Sequence, residues 1–293
     1  MKWRMFICAI CFLIGGCSLN IPLEDQFSDP DAITDVLSAR SLLASAYKAM
    51  PQQIFQLSVL SDDFCPSQHL NKDMSLQGLY NWREVEMTEL AGTLWAGYYA
   101  VIAEVNALLA RIDAVVTLDE TEKLEKMRIV CEAKALKSWC YFDLLRLFAP
   151  RYEGNENKDG IILKKRVELD FLPRSSVKEC VTEIRTLLNE ARNVDNTQKN
   201  VYWLSDKAVA YLQVELELYA GNYPAVLELT KDLETEYPES VLGADVYKYL
   251  WSSENSDARI FGKYQLEQIY MDIRFDTFEK GDYLVLSQNV DYE

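Results

Sequence analysis

Residues 205–238 read SDKAVAYLQVELELYAGNYPAVLELTKDLETEYP, and this stretch decides the architecture. Ala208, Tyr211-Leu212, Leu216 and Tyr219 recur at helical spacing; Ala220-Gly221-Asn222-Tyr223 then makes a turn. Ala225-Val226, Leu229 and Leu233 carry a second helical period, closed by Tyr237-Pro238. The unit is a pair of helices around a glycine turn. Each helix has an apolar face that a single pair cannot cover, so neighbouring pairs must stack on it.

Working outward, the same signals repeat. Pro173-Arg174-Ser175-Ser176-Val177 opens a helix through Val181, Ile184, Leu187-Leu188 and Ala191, with Ser175 or Ser176 as cap and Glu179 placed for a capping box. Thr117 or Asp119 begins a run to Phe148 that Pro150 stops, and Leu90 to Ile112 is periodic through Leu94-Trp95, Tyr98-Tyr99, Ile102, Val105 and Leu108-Leu109. These two long segments are expected to form a helical hairpin. Thr34 to Met50 is a further helix, capped by Thr34 or Asp35 and followed by Pro51. Residues 58–88 show no sustained period and read as a long polar loop with aromatics. The pattern weakens after Gly243, where Arg259–Gly262 and Tyr283–Leu286 fit short strands. Gly221 and Pro238, seventeen positions apart, resemble a tetratricopeptide-type repeat, although Val226 and Thr230 stand where its consensus prefers Ala and an aromatic. The expected fold is all-α: tetratricopeptide-like stacked helical hairpins with long irregular loops and minor β-structure near the C-terminus.

Composition agrees with a packed protein. The chain has 293 residues, of which 49% are apolar and 26% charged, which excludes global disorder and suffices for one large domain or two small ones. A formal charge of −16 provides no basic field for phosphates, so nucleic acid is not an expected partner. One His argues against a His-based catalytic or metal site. There is no G-x-S-x-G, P-loop or dinucleotide fingerprint, and Asp29, Asp31 and Asp35 lack the glycine and spacing of an EF-hand. Neither catalysis, a metal nor a cofactor is expected.

The N-terminus carries an address. Lys2 and Arg4 precede an apolar run from Met5 to Ile14, far shorter than the roughly 20 residues of a spanning helix. Ile14-Gly15-Gly16-Cys17 resembles a bacterial lipobox, which makes residues 1–16 a lipoprotein signal peptide and Cys17 the lipidated, palmitate-bearing residue. The alternative is an ordinary signal peptide that happens to contain Cys17. Acyl chains would hold an acidic body that anionic headgroups do not attract. Residues 17–33 read as a lipidated tether. Of the remaining cysteines, Cys65, Cys131, Cys140 and Cys180, the middle pair lies nine residues apart on one helix, about 13 Å along its axis and beyond disulfide reach. Buried free thiols are expected.

In order along the chain, the lipobox, Trp95-x-x-x-Tyr99-x-x-Ile102-x-x-x-Asn106, the run from Glu132 to Phe148, and Pro173-Arg174-Ser175-Ser176-Val177-x-Glu179 resemble the N-terminal half of the SusD/RagB family. Ala208-x-x-x-Leu212 and Gly221-Asn222-Tyr223 fit its repeat helices. Two departures stand out: the family's basic-Ala pair reads Lys137-Ser138, and members are usually longer. The resemblance implies a helical repeat domain over 34–262 and a C-terminal segment, 263–293, cut short relative to the family. It further implies a surface-exposed, lipid-anchored outer-membrane protein that binds a glycan or other nutrient and passes it to a SusC-like TonB-dependent transporter. The competing expectation is a periplasm-facing helical-repeat lipoprotein that serves as a protein-assembly scaffold.

Sugar capture needs flat aromatic faces for pyranose C–H groups and polar side chains for hydroxyls. The loop from Asp62 to Trp82 supplies both: Trp82 and Tyr80 for stacking, with Asp63, Asn71, Asn81 and Arg83 as polar partners. Trp82 serves equally well as an anchor pinning the loop, and His69 reads as a solvated loop residue. Trp95, Tyr98, Tyr99, Trp139, Tyr141 and Phe142 sit in strongly periodic helices and read as core, whereas Trp203, Tyr247, Tyr249 and Trp251 read as a cap on the last helical pair.

Overall fold

A computed structural model describes residues 33–66, 74–168, 170–192, 203–236 and 283–285. The helices are α1 (Val36–Lys48), α2 (Ile54–Leu60), α3 (Met74–Tyr80), α4 (Glu84–Arg111), α5 (Glu120–Phe148), α6 (Val177–Ala191), α7 (Asp206–Tyr219) and α8 (Tyr223–Glu236). A single 3-10 turn, Ile112–Ala114, closes α4. Two three-residue strands, β1 (Phe64–Pro66) and β2 (Tyr283–Val285), pair antiparallel with Cys65 opposite Leu284. The fold is all-helical and tetratricopeptide-like, with this ribbon and an isolated antiparallel bridge between Asp159 and Ser176 as its β-structure among the described residues. Arg259–Gly262 and the repeat's closing Tyr237-Pro238 lie outside those residues.

The long helices begin where local chemistry starts them. Asp35 accepts from the Ser38 N–H at 2.7 Å and Asp119 from the Glu122 N–H at 2.8 Å, each satisfying a donor that the first turn leaves open. Ser176 and Glu179 form the expected capping box at α6, and Ser205 caps α7. Gly221, at φ +71°, turns the chain between α7 and α8, a conformation that an L-side chain resists.

Packing then follows sequence order. Helix α1 lies on α4 and α5, α4 on α5, α5 on α6, α6 on α7 and α7 on α8. The centre is α5, whose Ile129, Ala133, Leu136, Cys140, Tyr141, Leu144 and Leu145 are all completely enclosed. Cys131, Cys140 and Cys180 are buried free thiols. Burial raises the pKa of Cys131 and of Cys180, which keeps both thiols protonated. Trp203, read as a cap on the last helical pair, packs on α1 instead: it meets Tyr47 edge-on at 5.1 Å and lies under the Arg40 guanidinium at 4.9 Å, while Tyr247, Tyr249 and Trp251 lie outside the described residues.

One expectation is corrected. Residues 58–88 are not one irregular loop, because α2, β1 and α3 occupy much of that segment and α4 begins at Glu84 rather than Leu90. Seven-residue helices span fewer than two turns, too short for a 3.6-residue period to register.

Between α5 and α6 the chain makes an excursion whose base is zipped. Gly160 N–H donates to Ser175 O at 2.7 Å and Ser175 N–H to Ile161 O at 2.8 Å, while Val177 N–H reaches Lys158 O at 2.9 Å. A Cβ on Gly160 would stand 2.8 Å from Cys180 Sγ and 2.9 Å from Ser175 O. Gly160→Ala is therefore expected to cost about 1–3 kcal/mol, read as a lower urea midpoint; an unchanged midpoint would show that the base can part freely.

Candidate functional site

Two places in this framework carry aromatic surface. The first is the corner between α3 and α4. Trp82 sits there at φ 55° and is 65% exposed. Its N–H donates to Leu79 O at 3.0 Å, and Arg83 N–H donates to Gly78 O at 2.8 Å, so hydrogen bonds on both sides hold the left-handed turn. A bulky residue in that region is strained.

The other expected partners are mostly engaged close by. Asn81 Nδ2 donates to Gln77 O at 2.8 Å, ending α3, and Arg83 pairs with Glu86 at 2.5 Å. Asp63 accepts from Ser61 Oγ at 2.8 Å. Tyr80 is half-buried against the core rather than displayed. Asn71 and His69 lie outside the described residues. The structure thus brings Tyr80, Asn81, Trp82 and Arg83 onto one turn with a single exposed ring.

The second place was not expected. A cleft of about 500 Å³ opens between the middle of α4 and the excursion, lined by Trp95, Tyr99, Ile162, Lys164, Asp170, Phe171, Leu172 and Pro173. Trp95 and Tyr99 were read as core. Both are half-buried and packed against it, but they also form the cleft floor. Tyr98, Tyr141 and Phe142 are core as expected, and Trp139 is half-buried against it.

The cleft wall is held by atoms from the helices. Tyr99 hydroxyl donates to Ile162 O at 2.8 Å and accepts from Ile162 N–H at 2.9 Å. Lys164 O accepts from Tyr141 hydroxyl at 2.6 Å and from Asn106 Nδ2 at 2.9 Å. Asn106 in turn accepts from Lys137 Nζ at 2.6 Å, and both side chains are buried. Burial pushes the Lys137 ammonium down to about 8, with Glu183 opposing and Lys165 reinforcing the shift. Lys164 Nζ closes the rim by pairing with Asp170 and donating to Glu168 O. Among the described residues no group of three or more His, Cys, Asp or Glu is placed to hold a metal ion.

A SusD-like family model, described as starch-binding and associating with the outer membrane, matches residues 23–215, well over half of the sequence. The chain belongs to the SusD-like family. Among solved structures, this SusD-like chain is similar to a putative sugar binding protein from Bacteroides vulgatus ATCC 8482, with 21% identity and a TM-score of 0.67 over 81% of this chain and 56% of that one. A SusD-like carbohydrate binding protein from the same strain matches with 17% identity and a TM-score of 0.69, over 83% and 54% of the two chains. A laminarin binding SusD-like protein matches with 19% identity and a TM-score of 0.55, over 75% and 48%. These identities establish likeness of fold. The SusD-like chain spans about half the length of the structures it matches. No curated protein matches it.

Neither the cleft nor its floor was visible in the pattern of residues. Trp95 and Tyr99 stand four apart and obey the core period, while the 162–173 wall has no period at all.

Proposed function

We propose that this SusD-like protein is a surface lipoprotein, anchored through acyl chains on Cys17, that captures a glycan and delivers it to a SusC-like TonB-dependent transporter of the outer membrane. Family membership supports the carbohydrate reading, and the family is described as associating with that membrane. The observation that carries the reading onto particular residues is Trp82, an exposed indole on a strained turn. A flat apolar ring in water suits the C–H face of a pyranose, and Asp63, Asn71, Asn81 and Arg83 remain the polar partners for hydroxyls.

Affinity electrophoresis in starch and in laminarin tests this reading. Wild-type protein is expected to be retarded by at least one of them, and Trp82→Ala to lose at least tenfold in affinity, about 1.4 kcal/mol. Trp82→Gly should bind equally poorly without melting lower, because glycine relieves the left-handed backbone. Undiminished retardation of both variants would remove Trp82 from the site. Mass spectrometry of the membrane-extracted protein reads the anchor directly: a bare Cys17 thiol or a retained leader would defeat it.

A further inference from the structure

We propose that the cleft between α4 and the 162–173 segment is a second ligand site, which stacks one neutral sugar ring on Trp95, Tyr99 and Phe171. This rests on the carbohydrate reading above. The site is separate from the Trp82 turn, since Trp95 lies eleven residues beyond the start of α4 at Glu84, about 16 Å along its axis.

Three observations converge on it. The floor is preorganised: the Arg174 guanidinium lies 4.9 Å over the Trp95 ring, and Phe148 meets it edge-on at 5.0 Å. The Tyr99 ring is fixed because its hydroxyl is bonded to both backbone groups of Ile162. Aromatic faces already held in place lose little freedom when a ligand arrives.

Phe171, by contrast, is fully exposed beside that floor. Enclosing a phenylalanine ring is worth about 1.5–3 kcal/mol, and the fold forgoes this gain. A ligand ring lying between Phe171 and the floor would recover it.

The rim specifies the chemistry. Lys164 and Asp170 pair with one another, and the Arg174 guanidinium is taken up by Phe148 O at 3.0 Å and Gly160 O at 2.8 Å, so the cleft offers hydrogen-bonding groups whose charges are already engaged. A wholly apolar occupant, such as a hydrophobic peptide, would strip water from this ion pair and give nothing back. A neutral polyol with one apolar ring face satisfies both floor and rim.

The test is isothermal titration of the full chain with laminarihexaose and with maltohexaose, comparing wild type, Phe171→Ala and Trp82→Ala. Since Phe171 packs on nothing, its truncation leaves stability intact, as thermal melting should verify. Phe171→Ala is expected to weaken the sugar that binds by at least fivefold. In Trp82→Ala the residual binding should respond in the same way to a further Phe171→Ala. Wild-type affinity in Phe171→Ala, with loss confined to Trp82→Ala, would overturn the cleft and leave the capture function standing. Silence of the wild type toward both sugars would defeat both proposals. Anilinonaphthalene sulfonate fluorescence that depends on Phe171 and that neither sugar displaces would overturn the sugar in favour of an apolar partner.

Discussion

Arg40→Met is expected to lower stability by about 3 kcal/mol or more, among the largest single losses in this protein. Arg40 on α1 reaches two carboxylates of α5: Glu132 at 2.8 Å and Glu125 at 2.5 Å. The Glu132 side chain has no exposure at all. Methionine matches the stem of arginine but strips a buried carboxylate of its guanidinium, and the desolvation already incurred loses that opposite charge. The loss also reaches α7, because the same guanidinium lies over Trp203, and Tyr47 from α1 accepts from Leu204 N–H at 3.0 Å. Chemical denaturation of wild type, Arg40→Met and Arg40→Met/Glu132→Gln measures it. The double variant should regain part of the loss, since it removes the buried charge. A single-variant loss below about 1 kcal/mol would show that solvent reaches Glu132 and that the pair is ornamental to stability.

The second large effect belongs to Asn106→Leu. This buried amide accepts from Lys137 and donates to the Lys164 carbonyl, so leucine of similar volume removes two bonds at once. The exposed consequence is a looser cleft wall, and the buried one is an ammonium without its amide acceptor. We expect a loss of about 3 kcal/mol at pH 7, with faster amide exchange over residues 161–165. The pH dependence has a definite sign. Burial lowers Lys137 in the folded state to about 8, below the ordinary 10.5. Between those values the unfolded chain holds the proton and the folded one has released it, so this group makes stability rise with pH there. Below about 8 the folded protein carries the full penalty of a buried charge. The Asn106→Leu deficit should therefore shrink between pH 7 and pH 9.5. Equal deficits at both values in urea denaturation would mean that Lys137 keeps its proton throughout and is better solvated than its burial implies.

Those two networks were not readable from residue patterns, and the reason is physical. Helix starts are local events: Asp35, Asp119 and Ser176 cap their own first turns, and each was one of two candidates that its immediate neighbours offered. Core faces are nearly local, since one period marks Leu136, Leu144 and Leu145 without reference to the rest of the chain. Lys137 and Asn106, by contrast, meet across 31 positions, and Asn106 and Lys164 across 58. A lone polar residue on a helix gives no hint of which distant carbonyl it will satisfy. The cleft was hidden for a related reason. Trp95 is half-buried and lines the cleft opposite Ile162, Lys164 and Phe171, while Tyr98 on the same helix is enclosed. The α3–α4 corner failed in another way, because Trp82 could be named but its left-handed backbone and exposed ring arise only once both flanking helices are in place.

The double hydrogen bond between the Tyr99 hydroxyl and Ile162 has a bearing on adaptability. One phenol there does the work of a neighbouring strand, holding an N–H and a C=O of the same residue as a ladder rung would. Together with Asn106 and Tyr141, it fastens the inner arm of the excursion through main-chain atoms, with no call on what side chains follow. The side chains of Arg166, Val167, Phe171 and Leu172 are thereby relieved of holding that arm in place. They can be rewritten to suit a different guest while the arm's moorings on the helical bundle stay as they are.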